Sequence, residues 1–177
     1  MPIRLIKAAL ITTAAFLIVT SFAWAGPEDD VDRFFWARVV QVKDGDTITV
    51  VRRNDNLDMV TVRLFGVDAP ESDQPYGKQA TRALTRLIHK KIVLVEIKKK
   101  ADRYGRVVGV VKHEGNDVGR ELLESGWAWV DPRFSKQDRL GRGYWASVRR
   151  AEKAKIGLWG DDDPLPPWKW RGRGEDE

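Results

Sequence analysis

The chain has 177 residues, a formal net charge of +5, a pI near 9.5 and no cysteine. That length suits one ordinary domain with a core of its own, and 42% hydrophobic residues argue against a wholly disordered chain. Zero cysteine excludes disulfide scaffolds, thiolate catalysis, iron–sulfur clusters and Cys-type zinc sites, and two histidines, His89 and His113, cannot make a three-histidine metal site. Oxygen ligands, carboxylates and a large supply of arginine and lysine remain for chemistry.

Residues 1–25 read as a secretory signal peptide. Arg4 and Lys7 precede an apolar run from Ala8 to about Phe22, and Ala23-Trp24-Ala25 supplies small residues at a cleavage position. A secreted or periplasmic location follows as an expectation, with no stable membrane association after removal. Residues 26–35 form an acidic leader. Trp36 to Val42 and Thr47 to Arg52 are strand-like with a turn at Asp44-Gly45, and Met59 to Phe65 alternates again. Ala80, Ala83, Leu84, Leu87 and Ile88 then lie on one helical stripe. Ile92 to Ile97 and Val107 to Val111 return to β-branched runs. Asp117 caps a short helix ending at Gly126, and Leu140, Tyr144, Val148 and Ala151 mark a longer helix ending near Gly157.

This order predicts an α+β, mainly β, fold: a five-stranded barrel of the OB type with three helices, spanning residues 36–160. The Pro/Trp-rich charged tail, 161–177, cannot build a core and either packs its tryptophans on the barrel or stays loose. Charge is unevenly spread. Residues 36–160 hold 25 bases and 16 acids, a net of +9, while the acidic leader and the tail each carry −3. A basic barrel favours a polyanionic partner.

Three segments hold the chemical candidates: Asp44-Gly45-Asp46-Thr47, Arg63 through Asp68 to Glu71, and Arg103-Tyr104-Gly105-Arg106. Each alone reads as a turn or a solvated strand. In a barrel, neighbouring strand ends bring them to one rim, with Asp46 starting the second strand and Asp68 ending the third. Two carboxylates from different segments suit a hard cation, Glu71 one water away suits a general base, and two arginines suit a phosphate. These are the parts of phosphodiester hydrolysis.

In sequence and order, DGDT, RLFGVDAPE and DRYGR closely resemble the staphylococcal nuclease (thermonuclease) family, and the resemblance runs from about Trp36 to Trp159. It implies an OB-fold barrel and a calcium-dependent endonuclease acting on DNA and RNA as a monomer and leaving 3′-phosphates. By matching position it implies that Asp46, Asp68 and the Ala69 backbone carbonyl hold Ca2+ and that Arg63, Glu71 and Arg106 are catalytic. Arg103, Tyr104, Trp127 and Trp129 fall where that family contacts nucleotide. Ala69 replaces the threonine of the family's reference member, and the loop from Ser72 to Tyr76 is shorter and less basic. The alternative reading is a non-catalytic OB-fold module that binds nucleic acid by stacking and charge. Such a module has no need for three carboxylates on a surface meant to attract phosphate.

Overall fold

The computed structural model describes residues 33–53, 58–134 and 139–173. The signal-peptide expectation and most of the acidic leader therefore lie outside the described residues. Among those described, no helix is long and apolar enough to cross a membrane.

Strands β1 (Phe34–Val42), β2 (Thr47–Arg52) and β3 (Met59–Leu64) form an antiparallel meander. The two-residue β4 (Val67–Asp68) follows, then helix α1 (Gly77–Ile88), β5 (Ile92–Lys99) and β6 (Val107–His113). The sheet order is β3-β2-β1-β5-β6, and a parallel pairing of β3 with β6 closes it into a five-stranded barrel. Closure leaves those two strands no open edge along the seam. Alternating β-branched residues fill the interior: Val39, Ile48, Val50, Val62, Val93 and Val95 are all fully buried.

Outside the barrel lie β7 (Asn116–Asp117), α2 (Val118–Glu124), β8 (Trp129–Val130) and α3 (Arg139–Lys153). Asp117 caps α2 by accepting from the Arg120 N–H at 3.1 Å, as its position predicts, and the buried Tyr144 hydroxyl donates to the same carboxylate, tying α3 to α2. The helical stripe on α1 also holds: Ala80, Ala83, Leu84 and Ile88 are buried and Leu87 packs against them.

The structure changes three expectations. Of the two readings of the tail, the loose one does not hold for the described part, 161–173, where Pro166 and Pro167 start a fourth helix, α4 (Pro167–Gly172), with proline at its first position where the missing N–H costs nothing. Asp68 does not end β3. Gly66, at φ +76°, turns the chain after Leu64, and Asp68 belongs to β4, paired with Trp129 of β8. As a large apolar residue opening a strand-like run, Trp36 reads as a packing residue, yet it is 56% exposed, since the β1 alternation points Ala37 and Val39 inward and Trp36 outward.

Candidate active site

The hairpin between β1 and β2 sets the first carboxylate. The Asp46 N–H donates to Asp44 Oδ1 at 3.0 Å, which tightens the turn. A side chain at Gly45 has no room: a Cβ there would stand 2.6 Å from the Ala69 Cβ and 2.8 Å from the Ala80 Cβ. The glycine thus lets the hairpin press against α1 and the Asp68-Ala69 segment, which brings Asp46 beside Asp68. Strand register does the rest, because Thr47 pairs with Arg63 across β2 and β3.

Arg63 joins the two acids. Its Nη1 donates to Asp46 Oδ2 at 2.7 Å and its Nη2 to Asp68 Oδ1 at 2.9 Å, with the three side chains between 4% and 13% exposed. Asp46 also accepts from the Ala69 N–H at 3.1 Å and the Thr47 hydroxyl at 2.9 Å. Burial pushes Asp46 up to about 6; Arg63 opposes that rise, and the neighbouring Asp44 adds to it. Burial likewise raises Asp68, against the Arg171 hydrogen bond and with help from Asp46. Burial works against the charge on Arg63, but Asp46 and then Asp68 outweigh it and hold the guanidinium firmly protonated.

Glu71 stands at the mouth of this cluster, 38% exposed. Its N–H donates to Gln74 Oε1 at 3.0 Å, and its carbonyl accepts from the Gln74 N–H at 3.0 Å. A residue that sequence reasoning did not single out completes the group. Arg171, from α4, donates through Nη1 to Glu71 Oε1 at 2.5 Å and through Nη2 to Asp68 Oδ2 at 2.8 Å. Prolines at the start of a short Trp- and Lys-rich run signal the helix, but no local pattern signals contacts 100 and 103 residues away.

Arg106 and Tyr104 lie apart from the carboxylates. They line an open cavity of about 670 Å³ with Lys43, Asp44, Thr47 and Met59, and Asp44 and Thr47 flank Asp46, so the cavity adjoins the acidic cluster. Tyr104 is 65% exposed, with the Arg103 and Arg106 guanidinium carbons 4.7 and 5.1 Å from its ring centre. An exposed aromatic face between cations suits stacking of a base. Trp127 is partly buried against the core. Trp129 is buried and meets Trp159 edge-on at 5.4 Å, so its main chain serves β4 while its ring packs inward.

Asp102, also unremarked from sequence, holds the Arg106 turn. It accepts from the N–H groups of Tyr104 at 2.8 Å and Arg106 at 3.0 Å, and from Arg106 Nε at 2.8 Å. Burial works to raise this carboxyl, yet the Arg106 and Tyr104 hydrogen bonds override it and hold it down to about 2. Because the folded value lies below the unfolded 3.8, its stabilisation is complete above about pH 4 and fades as pH falls toward 2. Asp102→Asn is expected to raise KM for an oligonucleotide about tenfold and change kcat less, since Arg106 loses a charged anchor but keeps its own charge. Steady-state kinetics on a defined oligomer checks this; an unchanged KM removes Asp102 as the positioning residue.

Residues 61–161 match the family described as staphylococcal nuclease homologues, more than half of the chain. The chain belongs to the staphylococcal nuclease family. A curated Escherichia coli protein named an uncharacterized endonuclease is 37% identical over 158 residues, covering 89% of this chain and 95% of its own. A Shigella flexneri protein named micrococcal nuclease is 33% identical, with 91% and 90% covered. A Haemophilus influenzae protein named an uncharacterized endonuclease is 31% identical, with 94% and 87% covered. As a staphylococcal nuclease homologue with endonuclease relatives, the chain is a nuclease that acts on phosphodiester bonds. The family match ends ten residues before Arg171.

Among the described residues, no group of three or more histidine, aspartate or glutamate side chains is close enough to chelate one ion. The donor chemistry still fits a hard cation. Asp46 and Asp68 are buried acids that converge on a single cationic group, and the charge of Asp46 adds to the cost of ionising Asp68. A cation there would have to rest on these two carboxylates, with main-chain carbonyl, water and substrate oxygens making up the rest of its shell.

Proposed function

We propose that the protein is a secreted or periplasmic, calcium-dependent nuclease that hydrolyses DNA and RNA at the P–O5′ bond and leaves 3′-phosphates. The observation that supports this reading best is the convergence of Asp46 and Asp68 on Arg63, with Glu71 beside them at a solvent-open mouth. Bound calcium supplies Lewis-acid stabilisation of the negative charge on the phosphate.

The chain's own residues do the remaining work. Glu71, open to solvent, accepts a proton from water as its oxygen attacks phosphorus. The P–O5′ bond breaks, and the leaving 5′-oxygen takes a proton from solvent to become a hydroxyl. Arg106 faces the cavity and pairs with phosphate oxygens, while Arg63 keeps positive charge against the two aspartates. Tyr104 and Arg103 receive the adjoining base and backbone. The +9 charge of residues 36–160 draws the polyanion in.

The test is cleavage of single-stranded DNA and RNA with calcium and with chelator, with the product ends identified. Expected are calcium-dependent cutting of both and 3′-phosphate ends. Activity untouched by chelation removes calcium from the reading, and strand binding without cutting supports the non-catalytic OB-fold module instead.

A further inference from the structure

Arg171 occupies the acidic face that the proposed calcium chemistry needs. Its Nη2 donates to Asp68 Oδ2 at 2.8 Å, and its Nη1 donates to Asp68 Oδ1 at 3.3 Å and Glu71 Oε1 at 2.5 Å. Asp68 therefore has one oxygen on Arg171 alone and the other shared between Arg63 and Arg171. Glu71, at the same time, has an oxygen committed to a cation. That Glu71 oxygen is taken up by Arg171 rather than left open to a water, and a guanidinium on Asp68 repels any second cation there.

The segment that carries Arg171 is docked by the loop that carries Glu71. Gln74 holds Glu71 through its Oε1 and donates through Nε2 to the Leu165 carbonyl at 2.6 Å. Tyr76, two residues further on, hydrogen-bonds Asp161. Pro167 is buried, whereas the Arg171 side chain is 47% exposed and α4 is only six residues long. A helix so short has little stability of its own, and half-exposed ion pairs hold weakly, so the segment can leave at small cost.

We propose that the segment from Asp161 to Arg173 is a built-in latch: Arg171 competes with the divalent cation for Asp68 and withholds Glu71 from water, so that cation binding and tail release are coupled. The inference rests on the calcium reading above, and Arg171 itself lies beyond the family match. Any cation affinity is then lowered by the fraction of molecules that are latched, and by reciprocity the cation lowers the hold of the tail.

Calorimetric titration of calcium chloride into the wild-type protein, Arg171→Gln and a chain ending at Gly160 tests this directly. Both variants are expected to bind calcium about tenfold more tightly than wild type. Tryptophan fluorescence gives a second readout: calcium should shift the emission of wild type as Trp168 and Trp170 move with the tail, and the shift should vanish in the shortened chain. Equal calcium affinity in all three proteins overturns the latch and leaves the calcium reading standing. A raised KM for DNA in Arg171→Gln with unchanged calcium affinity also overturns it, making Arg171 a phosphate ligand. No calcium binding by any of the three, with cleavage indifferent to chelator, overturns the calcium reading and the latch together.

Discussion

Glu71→Gln is expected to lower kcat for DNA cleavage by about 10²–10⁴-fold, the range that a positioned general base contributes, with KM nearly unchanged. The substitution keeps the shape of the side chain and an oxygen able to accept from Arg171, but it cannot take a proton from water. The fold should not suffer, because Glu71 is 38% exposed and its loop is anchored by main-chain bonds to Gln74. Turnover and thermal unfolding measured on the same preparation separate chemistry from stability. Near-wild-type kcat would remove Glu71 as the base and leave the carboxylate pair to explain activity alone.

Arg63→Met is expected to cost both stability and rate. It leaves Asp46 and Asp68 buried beside each other without their shared cation, a change that costs about 3–5 kcal/mol when one partner of a buried pair is removed. At about 2–4 °C per kcal/mol for a domain of this size, the melting temperature should fall by about 6–20 °C. The rate should fall by about 10²–10³-fold. The loss should also depend on pH in a defined direction. Asp46 has its folded value pushed up to about 6 from 3.8, so the folded chain binds more protons than the unfolded one between those values. Its contribution to stability therefore rises as pH falls from about 6 to about 4. Without Arg63 that dependence should steepen, and adding Asp46→Asn should restore part of the loss. Melting curves across this pH range check it, and a flat difference between wild type and Arg63→Met would show that the guanidinium does not hold the pair.

The barrel was legible in the sequence because its signals are local and periodic. Val39, Ile48, Val50 and Val62 alternate on strands, Ala80 to Ile88 repeats at helical spacing, and Asp117 stands at a cap position. The acidic cluster was legible because two short motifs carry it, DGDT and RLFGVDAPE, and each lies at the end of an element. What escaped detection depends on distance along the chain. Asp68 looked like the end of β3 because it follows the alternating run Met59 to Phe65 by only three residues, while the break comes from a positive φ at Gly66 that spacing does not reveal. Trp36 looked like core because it is large and apolar, but its face of the strand is set by register. Arg171 was one basic residue among several in a charged tail, and only the docking of Leu165 on Gln74 aims it at Asp68.

The parallel seam between β3 and β6 has a consequence for assembly. It sets Arg63 opposite Val108, two residues beyond Arg106, across a sequence separation of 45 residues. Until that seam zips shut, the two arginines ride on separate edges of an open ribbon, and no phosphate can meet both. Non-local pairings of this kind form late and slowly. Nucleolytic competence should therefore be acquired in one step, at the end of folding, and a nascent or partly unfolded chain should be harmless to the nucleic acid around it.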